Sequence, residues 1–140
     1  MNETFESQLK IVECSQEYWE FVRLLRMNKD VEAGFVKQGH ISEENQIAYM
    51  KKHANSYRIC LHENTPCGYI GVVDNDLRIC VSPAYWRKGI GSFMILKTRY
   101  LWPNPQVKIK ASNNKSINLF KKNGFAEKYL IMEPKDLSDA

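Results

Sequence analysis

Six consecutive residues, Trp86-Arg87-Lys88-Gly89-Ile90-Gly91, combine the two things that hold a phosphate: exposed backbone N–H donors and positive charge. Glycines at a strand-to-helix turn let the backbone approach an anion closely. The first N–H groups of a helix then point at it, aided by the helix dipole. Arg87 and Lys88 add charge at the same place. The spacing predicts the elements on either side. Upstream, Leu77, Ile79 and Val81 alternate with Arg78 and Cys80, the period of a strand, and Pro83 ends it. Downstream, Ile90, Phe93, Met94, Lys97 and Leu101 follow helical spacing. The stretch is expected to be a pyrophosphate cradle.

The rest of the composition narrows the ligand only by exclusion. The chain has 140 residues, 44% hydrophobic and 26% charged, enough for one domain with a real core. A single domain over residues 1–140 is expected, without repeats or low-complexity tracts. The net charge of +4 suits an anionic small ligand, and the basic residues are spread along the chain rather than clustered as a nucleic-acid surface needs. Cys14, Cys60, Cys67 and Cys80 form no CxxC pair and no zinc spacing, so they are expected to be reduced, half-buried hydrophobes, with no metal bound. Residues 1–8 are polar and acidic, unlike a signal peptide, and no apolar run reaches membrane-spanning length. A cytoplasmic protein is expected.

Elements that must position the turn can be placed in order. Residues 1–7 are expected to fray, and 8–14 to form a first strand. Ser15 caps a helix carrying Tyr18, Trp19, Val22, Leu25 and Arg26, which ends near Met27. Residues 30–40 are irregular but carry Phe35, Val36 and His40. They either shape a substrate pocket or simply cover the core. Ser42, followed by Glu43 and Glu44, starts a second helix running to about Ala54. Strands follow at 57–62, 67–73 and 76–81, joined by turns at Glu63-Asn64-Thr65-Pro66 and Asp74-Asn75. The helix opened at Gly91 is ended by Pro103 and Pro105. A strand at 107–111, a helix at 113–123 closed by Gly124, and a strand at 126–132 complete the reading.

This order of elements resembles the GNAT N-acetyltransferase superfamily, and two motifs carry the likeness. Trp86-Arg87-Lys88-Gly89-Ile90-Gly91 is similar to the family's (Arg/Gln)-x-x-Gly-x-(Gly/Ala) acetyl-CoA loop, departing at Trp86. Asn113-Asn114-Lys115-Ser116-Ile117-Asn118-Leu119-Phe120-Lys121-Lys122-Asn123-Gly124-Phe125 is similar to its Asn-x-x-(Ala/Ser)-x-x-Leu-(Tyr/Phe)-x-Lys-x-Gly-Phe segment. The resemblance implies an α/β (α+β) fold: a mixed, mostly antiparallel sheet of six to seven strands with helices on both faces. It implies acetyl-CoA as co-substrate, with the backbone of Arg87, Lys88, Gly89, Ile90 and Gly91, together with Ser92, at the pyrophosphate. Ile79, Cys80 and Val81 would run along the pantetheine arm, Asn113 would bond its amide, and Ser116 and Phe120 would line it.

The implied reaction is direct acetyl transfer to a primary amine, with a backbone N–H near Val81 as oxyanion donor. The leaving thiolate usually takes its proton from a Tyr at the position of Phe120, which has none to give; water, the amine itself, Tyr85, Tyr129 or another hydroxyl are the alternatives. The base candidates are His40, Glu43, Glu44, Asp74 and Asp76, with His40 and Asp76 preferred; His53 and His62 are expected to be exposed and without a chemical role. The acceptor is the least determined part. Residues 22–28 and 39–46 are similar to acetyltransferases of nucleotide-linked amino sugars, in which case Arg23, Arg26 or Lys37 would meet the diphosphate. A protein N-terminus, a lysine, a polyamine or an antibiotic are alternatives, as is a non-catalytic acyl-CoA sensor. Only one strand follows Phe125 where the family usually has two, so a second copy completing the sheet as a homodimer is a further expectation.

Overall fold

The computed structural model describes residues 3–32, 34–36 and 39–136. Four antiparallel strands, β1 (Leu9–Glu13), β2 (Tyr57–His62), β3 (Thr65–Val73) and β4 (Asp76–Val81), lie side by side in chain order. Two-residue turns join the last three. Glu63 and Asn64 have φ of 48° and 70°, Asp74 and Asn75 φ of 52° and 64°. Positive φ at both central residues is the hairpin geometry that matches strand twist, and Asn and Asp adopt it at low cost. Between Cys60 and Leu61 the β2–β3 register shifts, and Pro66, which has no N–H to give, pairs beside that shift.

Alternation along each strand divides the core in two. Tyr57, Ile59, Leu61, Tyr69, Val73 and Cys80 pack with Val22, Leu25 and Met50 of α2 (Trp19–Arg26) and α4 (Glu43–His53). On the other face Cys60, Cys67, Ile70 and Leu77 meet Ile90, Phe93, Met94 and Phe120 of α5 (Ile90–Thr98) and α6 (Asn114–Lys122). Helices thus cover both faces. Their starts follow the sequence: Ser42 accepts a bond from the Asn45 N–H at 3.1 Å, and Asn113 accepts one from Ser116 at 3.2 Å. Ser15 precedes a 3₁₀ turn, Gln16–Tyr18, and its hydroxyl meets Glu17 rather than a backbone N–H.

Three expectations need correction. Residues 3–7 are not frayed but form a short helix, α1 (Glu3–Ser7), whose Phe5 ring stacks on His62 with centroids 4.8 Å apart. A further short helix, α3 (Lys29–Glu32), stands within the irregular stretch. The sheet has four strands rather than six or seven among the described residues: 107–111 and 126–132 are not strands. Their alternation fixes which side chains share a face, but a strand also needs a neighbour, and the one isolated parallel bridge, Asp76 to Gln106, falls just before 107–111. Tyr129, Leu130, Ile131 and Met132 are between 73% and 87% exposed, too open for a paired strand.

Gly71 lies against the face of Tyr57, where an added Cβ would stand 2.5 Å from the ring and 2.8 Å from the Ser56 carbonyl. Gly71→Ala is expected to destabilise the chain by about 1–3 kcal/mol, read as a lower urea midpoint at unchanged slope. An unchanged midpoint would contradict this packing.

Candidate active site

The site begins where β4 loses its outer neighbour. The Leu77 N–H donates to the Gln106 carbonyl at 2.7 Å, and the Gln106 N–H to Asn75 at 2.9 Å. In an antiparallel ladder, N–H and C=O of one residue point to the same side and alternate along the strand. Leu77 therefore sets the phase: Ile79 and Val81 also direct their backbone groups outward, while the Ser82 N–H turns inward to Cys67 at 2.8 Å. Beyond Gln106 the following residues do not pair with β4, so the Ile79–Val81 edge is open.

The glycine turn sits at the end of this edge. Arg87 and Gly89 have φ of 65° and 81°, the left-handed region, and Gly89 caps α5. Arg87 and Lys88 are exposed. Trp86, the departure from the resemblance, has a clear part here. Its indole Nε1 donates to the Val81 carbonyl at 2.8 Å, and the Lys115 ammonium lies 5.9 Å from its ring centre. It ties the turn to the end of β4 and to the start of α6, a role no spacing rule announces.

Three of the predicted residues join α5 and α6 or their core in this structure. A Cβ on Gly91 would stand 3.0 Å from Leu119 Cδ2, so Gly91 lets α6 lie close on α5. Phe120 is buried, edge-on to Phe125 at 5.1 Å between centroids. The Ser92 hydroxyl accepts from Asn123 Nδ2 at 3.0 Å, which joins the same two helices. Ser116 is half-buried behind the Asn113 cap. Asn113 also meets the irregular stretch: a Cβ on Gly34 would come 3.3 Å from its Nδ2. The loop from the α2–α4 side thus reaches the start of α6.

On the α2–α4 face, β4 presents Asp76, Arg78 and Cys80. Arg78 Nη1 donates to Tyr49 Oη at 2.9 Å and lies 3.5 Å from Tyr57 Oη, and the two hydroxyls are 2.7 Å apart. His53, expected to be exposed, is half-buried with its ring 4.6 Å from Tyr49. Burial pushes the Tyr49 and Tyr69 phenols up, so both stay neutral. Burial also pushes the Cys80 thiol up to about 12, against the opposing pull of Arg26 and of the Val81 N–H.

The remaining candidates are scattered. Asp76 stands at the closed end of the edge, beside the Gln106 bridge and 3.6 Å from Arg78 Nε. Asp74 is in the β3–β4 turn and exposed. Glu43 and Glu44 are exposed in the first turn of α4. His40 is exposed beside Ile41, whose carbonyl Arg23 Nη1 holds at 3.0 Å. Arg23 itself is buried and paired with Glu20, so it is a structural tie rather than a ligand group. Lys37 lies outside the described residues. Tyr85 packs on His62 with centroids 5.4 Å apart. Two open clefts of about 350 and 290 Å³ lie past the end of β1, both touching Cys14, Ser15, Ala54 and Asn55. The Cys14 carbonyl there is already taken by Trp19 Nε1 at 3.1 Å, and neither cleft touches β4 or the glycine turn. No group of three or more His, Cys, Asp or Glu among the described residues could hold a metal, and no described helix is long and apolar enough to cross a membrane.

A strand with an open edge followed by a left-handed glycine turn into a helix suits an extended ligand that ends in an anionic group. Comparison with known proteins makes it specific: residues 52–127, more than half of the chain, match the acetyltransferase (GNAT) domain family. The chain belongs to that family and is an N-acetyltransferase. Its fold is similar to spermidine N-acetyltransferase from Vibrio cholerae in complex with CoA and spermine, at 18% identity and a TM-score of 0.74 over 88% of this chain and 83% of that one. It is also similar to an aminoglycoside acetyltransferase from an uncultured soil metagenomic sample, at 17% identity and 0.68 over 95% and 99%. Ard1 from Thermoplasma volcanium follows at 17% and 0.66 over 87% and 85%. No curated protein matches the chain at a significant level. At these identities the likeness shows the fold alone, and the named acceptors differ from one structure to the next.

Burial also pushes the Cys14 thiol up, to about 11. A thiol harder to ionise folded than unfolded stabilises the fold fully below its unfolded pKa, and loses that stability as pH rises through the folded value. The urea midpoint is therefore expected to fall between about pH 9 and 12, and to fall less in Cys80→Ala. A midpoint flat across that window would contradict the burial of these thiols.

Proposed function

We propose that this chain moves an acetyl group from acetyl-CoA directly to a primary amine, an amino sugar being the acceptor type that residues 22–28 and 39–46 favour. The observation that carries the reading is the open backbone of Ile79 and Val81 beside the left-handed turn at Arg87 and Gly89. Acetyl-CoA supplies the activated acetyl thioester. The outward N–H and C=O groups of β4 suit the amides of its pantetheine arm, with Asn113 near the far wall. The backbone from Arg87 to Gly91 and the Ser92 end of α5 suit its pyrophosphate. Trp86 occupies the Val81 carbonyl, which leaves donors rather than acceptors for the end of the arm.

Val81 directs its N–H toward the side where a tetrahedral oxyanion would form. The amine must lose a proton, and His40 and Asp76 are the groups proposed to take it, directly or through water. His40 is exposed, and its neighbour Ile41 is held by Arg23. Phe120 has no proton for the thiolate, so that proton returns from the acylated amine or from water. The run from Tyr129 to Met132 is exposed and apolar, which supports a homodimer that covers it, working in the cytoplasm.

Gly89→Glu is expected to weaken acetyl-CoA binding on the order of tenfold or more, because a carboxylate enters the cradle and a side chain strains the left-handed backbone. Calorimetry on the folded variant reads it, and unaltered affinity would overturn the cradle. His40→Ala is expected to lower kcat at pH 7 on the order of tenfold or more with unchanged acetyl-CoA affinity; full turnover would remove His40 from the chemistry.

A further inference from the structure

Along the chain the basic residues are spread, but the acidic ones are not. From Leu77 to Ala126 there are ten Lys and Arg and not one Asp or Glu; all 16 acidic residues lie in the rest of the chain. That acid-free stretch builds the glycine turn, α5 and α6. The fold gathers it on one side of the sheet. At one end Lys115, in the first turn of α6, lies 5.9 Å from the Trp86 ring centre. At the other end Arg99 Nη2 donates to the Asn123 carbonyl at 2.8 Å. The two helices therefore run side by side in the same direction, each nine residues and about 13 Å long.

Local helix rules do not ask for this. Acidic residues favour the first turn of a helix, and α2 and α4 have Glu20, Glu43 and Glu44 there, whereas α5 and α6 have none. A helix dipole does favour Lys121 and Lys122 in the last turn of α6, but that preference places cations and does not remove acids. An anionic donor at the glycine turn accounts for the near end of the surface. It does not account for Lys97, Arg99 and Lys122, which stand a helix length away. All three are exposed, and their contacts leave their charge in place: Lys97 lies 5.6 Å from the Phe93 ring centre and Arg99 bonds a neutral carbonyl. The ion pair described on this face is Lys121 with Glu127, at 3.3 Å. Leu96 and Tyr100 flank Lys97 and Arg99 and are 54% and 81% exposed.

We propose that the outer face of α5 and α6 is a second binding surface, for single-stranded nucleic acid, with Lys97, Arg99 and Lys122 at its phosphates and Tyr100 against a base. Protein surfaces mix both signs of charge, so a face without acids fits a partner that is itself of one sign. A nucleic-acid strand carries a charge at every nucleotide and offers a π-face to an exposed aromatic ring. A bilayer would need more apolar surface than Leu96 and Tyr100 supply. The surface does not depend on which amine accepts the acetyl group.

Fluorescence anisotropy of a labelled single-stranded RNA of about 16 nucleotides tests this on the whole chain, with and without saturating acetyl-CoA. Saturable binding is expected, weakening on the order of tenfold between about 50 and about 200 mM salt as counterions are released, and little changed by acetyl-CoA. Lys97→Glu together with Lys122→Glu is expected to weaken it on the order of tenfold or more, and Tyr100→Ala on the order of tenfold. The urea midpoint, read alongside, shows that each variant is folded. Lys51→Glu together with Lys52→Glu, the same charge change on α4, is expected to leave RNA binding unaltered. Absence of binding at the lower salt would overturn the surface, as would full affinity in Tyr100→Ala. So would displacement of the RNA by acetyl-CoA, which would put the strand in the donor turn, or equal losses from the two lysine pairs, which would reduce the effect to net charge. Tighter binding of polyglutamate or of phosphatidylserine vesicles than of RNA would overturn nucleic acid as the partner.

Discussion

At Leu77 the outer edge of β4 still has a partner, the Gln106 carbonyl 2.7 Å away; by Ile79 it has none in the ladder. Backbone N–H and C=O groups are obligatory hydrogen-bonding groups, and leaving them unpaired beside an apolar core is costly unless water or a ligand answers them. Other features of the site can be read as consequences. The hairpin turns at Glu63-Asn64 and Asp74-Asn75 set the register that points Ile79 and Val81 outward. The Trp86 indole closes the Val81 carbonyl and fixes the turn at the end of the edge. Gly91 and the Ser92–Asn123 bond bring α6 in, and with it Asn113.

The two faces of the sheet divide the labour. The α5–α6 side is built of Ile90, Phe93, Met94 and Phe120 and gives the turn a rigid floor. The α2–α4 side mixes its apolar packing with phenols and guanidiniums, at Tyr49, Tyr57, Tyr69, Arg26 and Arg78. A buried thiol at Cys80, neutral at ordinary pH, lies on that same side. The open edge and the glycine turn are built of backbone geometry that many sequences can supply, whereas the α2–α4 face is built of particular side chains. The fold is shared with a spermidine N-acetyltransferase, an aminoglycoside acetyltransferase and Ard1.

What was legible in the sequence follows the same division. Asn and Asp at hairpin corners, Ser42 and Asn113 at helix starts, and Gly89 in the left-handed turn are local signals that need no distant partner. The glycine turn into α5 was legible in the sequence for that reason. Residues 107–111 and 126–132 have strand alternation, yet alternation cannot state whether a neighbouring strand is present. Trp86 and Gly91 were assigned by motif position, and their contacts with Val81 and Leu119 depend on tertiary approach. Tyr49, Tyr57 and Arg78 come from three separate elements, and no spacing rule joins them. The sequence signal that was available is the Arg at a strand position facing a helix pair.

Amide hydrogen exchange of the whole chain with and without acetyl-CoA tests the central claim, that the open edge of β4 and the turn after it hold the donor, most directly. The account predicts added protection at Ile79, Val81 and residues 87–91, with little change at Cys14, Ser15 and Asn55. Protection confined to the cleft past β1, or none at β4 under saturating acetyl-CoA, would contradict it.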